Sequence, residues 1–250
     1  LCVGMILYHN TAQYFNQKLQ ESENTNLRQL SMRMNNHFDK LINLADAYAQ
    51  NPAVQDALVR LAELESGERP QEVYAYMLVL NDLTALMQSL QECYEGVESM
   101  ALVTQRRSYV QSASALLTYD WPSLAGRGAS FEKARLVQTG PSETIGDVSA
   151  EAAYIGAGQI AVLRWIGGTG QPALLAVRLS ENWLREQLGA DAYVTLNYRG
   201  AMVLDNGLHS RGEGLTQALS AEDWTLVYHS TRESFLLRSR LLAFLLIFLG

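Results

Sequence analysis

The chain has 250 residues, 48% hydrophobic and 18% charged, a balance that supports one large or two small globular domains and excludes disorder. Twenty-six acidic against 19 basic side chains give a formal charge of −7 with no Lys/Arg block to offset it, which argues against nucleic acid as a partner of this stretch. Two cysteines, Cys2 and Cys93, and four histidines without close pair spacing argue against a disulfide framework and a zinc module; no cofactor or metal site is expected.

Residues 1–8 (LCVGMILY) are almost wholly apolar and the first charged residue is Lys18, so residues 1–9 read as the end of a first transmembrane helix. Residues 10–50 contain no Pro or Gly, and Leu27, Leu30, Met34, His37, Leu41, Leu44 and Tyr48 recur at alternating spacings of three and four. At 1.5 Å per residue this predicts a stalk helix of about 60 Å. Its heptad seam serves either a contact with a second copy or packing against its own domain.

Asn51-Pro52 is a helix start, Asn at the cap and Pro in the first helical position, and the helix runs to about Glu65. After residues 66–70 (SGERP), Val73, Tyr76, Met77, Leu80, Leu83, Met87, Leu90 and Tyr94 mark one face of another helix, which Gly96 ends. The pattern then turns to strands at 97–104 and 109–113, around a polar tip at 105–108. The long mixed stretch 114–157, with Tyr119-Asp120-Trp121-Pro122, has the length of a binding lid or cap. Strands follow at 160–166 and 173–179, and Ser180 caps a short helix over 181–188.

Gly189 marks a boundary between a larger unit, 51–189, and a smaller one, 190–235. The smaller unit holds strands at 192–198 and 201–204 around an Arg199-Gly200 turn, and a last strand at 224–229. Ser230-Thr231-Arg232-Glu233 is a capping box that opens a helix leading into a second span, 236–250, whose last ten residues carry no polar side chain. Both ends then flank one soluble segment of ectodomain size, and the absence of a base from residues 1–17 suits an outer face.

This order of membrane stub, long helix, Asn51-Pro52 start, larger and smaller sheet units, and a Trp-Thr-Leu-Val-Tyr strand (224–228) running into Ser230-Thr231-Arg232-Glu233 resembles the double Cache (PAS-like) extracellular sensors of bacterial transmembrane receptors. It is most similar to the sensors of Gram-positive membrane histidine kinases and of membrane-anchored AraC-type regulators. The resemblance implies an α+β fold: a long N-terminal helix followed by two PAS-like antiparallel-sheet units, the larger membrane-distal and the smaller membrane-proximal. It implies an extracellular segment of a cell-membrane protein that senses a small molecule, a sugar or an amino acid, or a ligand-loaded solute-binding protein, and that pairs as a homodimer through the long helix. A chemoreceptor ectodomain is the alternative within that class, and a membrane-tethered adhesion or assembly domain the alternative outside it.

Residues 156–161 (GAGQIA) mimic a dinucleotide fingerprint, but a strand pattern follows instead of a helix N-terminus. No Gly-x-Ser-x-Gly elbow, His-Glu-x-x-His or Walker loop occurs, so no catalytic residue is expected and any kinase output lies outside these residues. The candidate ligand-binding residues are Tyr119, Asp120 and Trp121 in the cap and Tyr109, Arg164 and Trp165 on the strands, an aromatic lining with a few polar groups. Amid Ile160, Val162 and Ile166, an inward Arg164 needs an internal acid or a ligand carboxylate or hydroxyl. Otherwise Arg164 faces solvent and Trp165 fills the core.

Overall fold

A computed structural model describes residues 2–66, 72–104, 109–111, 118–119, 132–139, 153–154, 159–167, 172–190, 192–208 and 214–229. Three helices come first: α1 (Cys2–Gln50), α2 (Pro52–Ser66) and α3 (Glu72–Cys93). The break between α1 and α2 has its cause at Asn51, whose Oδ1 accepts from Ala53 N at 2.9 Å while its carbonyl accepts from Gln55 N at 3.0 Å. Pro52 then occupies a position where a missing N–H costs nothing. No helix among the described residues is long and apolar enough to cross a membrane. The expected second span and capping box, 230–250, lie outside the described residues.

The expected α+β architecture, a long N-terminal helix followed by two antiparallel-sheet units, is the one observed. The strands are β1 (Val97–Thr104), β2 (Tyr109–Gln111), β3 (Thr118–Tyr119), β4 (Arg135–Thr139), β5 (Ala153–Tyr154), β6 (Gln159–Ile166) and β7 (Ala173–Leu179), followed by helix α4 (Glu181–Leu188). Five of these strands form one antiparallel sheet in the order β2-β1-β7-β6-β4, and β3 pairs with β5. After α4 come β8 (Tyr193–Tyr198), β9 (Ala201–Asp205), β10 (Gly214–Ala218) and β11 (Trp224–His229), a second sheet in the order β10-β11-β8-β9.

The chain divides into two compact units, one of residues His37–Leu184 and the other of Leu1–Asn36 with Arg185–Gly250. The division between them falls within α4 and again within α1. In the larger unit, α1 buries Phe38, Leu41, Leu44, Ala45 and Tyr48, and α2 buries Val54, Leu58 and Leu61. In the smaller, α1 buries Leu27, Leu30 and Met34, and the sheet buries Val194, Leu196, Leu204 and Leu226 around Trp224, whose ring lies 4.9 Å from that of Tyr198.

The heptad reading of α1 is corrected at one position. The residue fully buried between Met34 and Leu41 is Phe38, while His37 packs edge-on against the Trp183 ring at 4.9 Å. A straight α-helix drifts relative to a 3.5-residue repeat, and a stripe of 3.6-residue period takes Phe38. That stripe, Leu27 to Tyr48, is buried within the chain itself.

In the smaller unit, Arg199 and Gly200 both have positive φ, 52° and 81°, which is the two-residue turn whose twist suits a hairpin between β8 and β9. Asn206 closes this unit by hand: its Nδ2 donates to Gly189 O at 2.8 Å and to Ala192 O at 2.5 Å, and its Oδ1 accepts from Val194 N at 3.2 Å.

Candidate functional site

Residues opposite one another in an antiparallel ladder share a face, so the register of the five-stranded sheet sorts its side chains into two sets. One row runs Leu136, Val162, Val177, Met100, and the next contains Arg164, Leu175 and Leu102. These apolar residues are buried, each 4% exposed or less. Their side of the sheet meets α1, because Arg164 Nε stands 2.5 Å from Asp46 Oδ1 of that helix. Asp46 Oδ1 also accepts from Ala134 N at 3.3 Å, and Arg164 Nη1 donates to Trp165 O at 2.7 Å. Arg164 has therefore found the internal acid that an inward arginine requires.

The other face is different in kind. Its rows run Val137, Ala161, Arg178, Ser99 and then Arg135, Leu163, Ala176, Ala101. Ser99, Ala101, Ala161 and Ala176 are small and buried, at 7%, 1%, 0% and 2% exposure. Leu163 beside them is also buried, and Arg178 at the margin has its Nε 3.2 Å from Glu98 Oε2, next to the bulge between Val97 and Ser99. This face thus presents a floor of small side chains with a cationic group at its margin.

Trp165, Leu174, Val103 and Tyr109 are cross-strand register partners in the next row. Trp165 and Tyr109, 56 positions apart in sequence, are thereby brought to one row, while Arg164 alternates to the helix-facing side. Tyr119 lies on β3, opposite Ala153 of β5. Asp120 and Trp121 lie outside the described residues, as does most of the stretch 114–157. The four small residues and Arg178 were not singled out from the sequence. Their signal is the alternation of small and large residues in Ile160-Ala161-Val162-Leu163 and Leu175-Ala176-Val177-Arg178, which acquires meaning only once the register aligns the strands.

No protein-family model matches the chain, and no curated protein matches it in sequence. Solved structures do match it in fold. The ligand-binding domain of the Pseudomonas fluorescens chemoreceptor CtaA, in complex with L-leucine, superposes with a TM-score of 0.56 at 13% identity, over 89% of this chain and 99% of that one. The same domain with L-serine gives 0.54 at 11% identity, over 87% and 99%. The extracellular domain of the protein designated histidine kinase vpHK1S-Z8 gives 0.50 at 11% identity, over 87% and 92%. The chain thus has the fold of bacterial receptor ligand-binding domains, the Cache-like fold that its sequence resembles.

Proposed function

We propose that this chain is the extracellular ligand-sensing module of a bacterial transmembrane signal-transduction protein, a sensor histidine kinase or a membrane-anchored transcription regulator of the Gram-positive type. The observation that carries this reading is the floor of Ser99, Ala101, Ala161 and Ala176 on the sheet face turned away from Asp46 of α1. The ligand is a small molecule seated on that floor, with Arg178 available to a carboxylate or hydroxyl. Of the residues singled out in the sequence, we assign Tyr109 to this floor and keep Tyr119, Asp120 and Trp121 as further ligand-binding candidates; Arg164 supports the sheet from behind, and Trp165 shares with it the wall of a recess at the end of β6 rather than the floor. The similarity to CtaA, a chemoreceptor whose domain is seen with leucine and with serine, supports a chemoreceptor ectodomain as the second reading and amino acids as the first ligands to try. In both readings occupancy biases one of two packings, and α1, unbroken from Cys2 to Gln50 and shared by both units, carries the bias along the chain.

The reading also includes a homodimer along α1, with residues 1–9 and 236–250 in the same membrane. Because the stripe from Leu27 to Tyr48 is buried within the chain, the pairing surface is the outer face, where Tyr14, Phe15 and Met32 are each more than half exposed.

A thermal-shift screen of the chain against amino acids, sugars and small peptides tests the sensing role. A ligand at 100 times its Kd adds about 2.7 kcal/mol to stability, and Ala176→Phe, which fills the floor, abolishes that gain. A broad panel without any shift, or a shift untouched by Ala176→Phe in a variant whose circular dichroism is native, overturns the assignment and favours an adhesion domain.

A further inference from the structure

The geometry points to a second binding site in the larger unit, for a neutral, hydroxyl-rich small molecule. A recess of about 570 Å³ lies where α1 ends, α2 begins and β6 runs out, with Gln50, Gln55, Glu132, Arg164, Trp165 and Gly167 in its wall. It is separate from the floor of small residues, since Arg164 alternates to the helix side of the sheet and pairs there with Asp46.

The charges in the wall select the ligand class. Arg164 repels a cation. Glu132, and Asp46 behind Arg164, repel an anion. Two of the arginine's five N–H donors are engaged, Nε towards Asp46 and Nη1 with Trp165 O, and a carboxylate approaching the rest meets the charges of Asp46 and Glu132 as well. What the wall does offer are scattered single donors and acceptors. Gln55 donates through Nε2 to Ala49 O and so turns its own carbonyl to accept, Gln50 is exposed and carries both functions, and Glu132 is an exposed acceptor. Hydroxyls, which donate and accept at one atom, satisfy such a set without bringing charge into it. The indole of Trp165, whose Nε1 runs close beside Gly167, adds a flat apolar surface for ring C–H groups, and Gly167 keeps the wall clear of a side chain.

Isothermal titration of the full chain tests this with glucose, myo-inositol and trehalose as neutral probes, L-serine and betaine as zwitterions, and choline as a cation. The expected result is saturable binding of a neutral probe, weakened about tenfold by Gln50→Ala and by Glu132→Ala, each the loss of hydrogen bonds from an exposed residue that leaves the fold intact. Ala176→Phe, on the other face of the sheet, leaves that binding unchanged, so loss of the sensing floor and loss of this recess are read separately. The site is overturned if no neutral probe binds with a Kd below about 10 mM. It is also overturned if binding is indifferent to both substitutions, or if a zwitterion or cation is the probe they weaken.

Discussion

At the scale of single residues, Tyr48 and Gly96 hold positions whose physics can be measured without knowing the ligand. Tyr48 is 2% exposed, and its hydroxyl has no hydrogen-bond partner among the described residues. Burial pushes its ionisation well above that of an ordinary phenol. The buried hydroxyl is a liability, because an unsatisfied polar group costs about 1–3 kcal/mol and a phenyl ring of the same shape does not. Tyr48→Phe is therefore expected to raise the urea midpoint at neutral pH. The sign at alkaline pH follows from linkage. The neutral phenol's contribution is intact below pH 10, near the unfolded value, and is lost as pH rises towards the elevated native value, at up to about 1.4 kcal/mol per pH unit. Tyr48→Phe should move the alkaline unfolding midpoint upward, and an unchanged or lower midpoint would show that the hydroxyl is satisfied in solution.

Gly96 has φ of +89°, and a Cβ there would stand 2.5 Å from Cδ2 and 2.6 Å from Cε3 of Trp183. Gly189 has a similar φ of +80° with nothing within 4 Å of its Cβ position. Gly189→Ala isolates the backbone cost, about 1 kcal/mol, and Gly96→Ala adds the displacement of an indole, for about 2–4 kcal/mol in all. Near-ultraviolet circular dichroism should change for Gly96→Ala alone. Equal costs for the two variants would mean that Trp183 swings aside freely.

At the scale of elements, what could be read from the sequence is what local chemistry decides. Asn51 and Ser180 start helices because their side chains cap, with Ser180 Oγ accepting from Trp183 N at 3.4 Å, and the expected limits of β7 and α4 agree with those observed. β10 left no signal, because four of its five residues are exposed and no apolar series forms on an exposed edge strand. β4 was hidden inside the mixed stretch for a related reason: its Arg135 and Gln138 break up the apolar series, and its pairing with β6 is not local. The candidate floor was equally out of reach, since Ala101 and Ala176 meet only through a pairing that spans 75 positions.

For α1 the sequence left two uses of the stripe open, and burial decides for packing within the chain. Met34 is fully buried and Met32 is 58% exposed, two residues apart on one helix. Met34→Ala should cost about 2–5 kcal/mol in urea unfolding. Met32→Glu should leave that midpoint within about 0.5 kcal/mol yet raise the dissociation constant of the proposed dimer in sedimentation equilibrium. A dimer indifferent to charge at Met32 would sink the assignment of the outer face.

At the scale of the whole molecule, two sheets with separate cores share α1 and α4 along the chain, so the proposed sensing floor belongs to only one of the two compact units. A ligand seated on Ser99, Ala101, Ala161 and Ala176 contacts β1, β6 and β7 and suppresses their opening by its full binding free energy. The sheet of β8 to β11 gains protection only by what α1 and α4 transmit. Hydrogen exchange at saturating ligand should therefore slow β1, β6 and β7 first. The graded quantity is the change in β8 and β11, where Thr195, Leu196 and Leu226 are buried in the ladder. Slowing there, absent in the apo chain and removed together with the first effect by Ala176→Phe, is the signature of coupling between the units. Slowing confined to the larger unit would make the chain a binding module without relay, and equal slowing of both sheets from the lowest ligand concentration would place the ligand somewhere other than the floor.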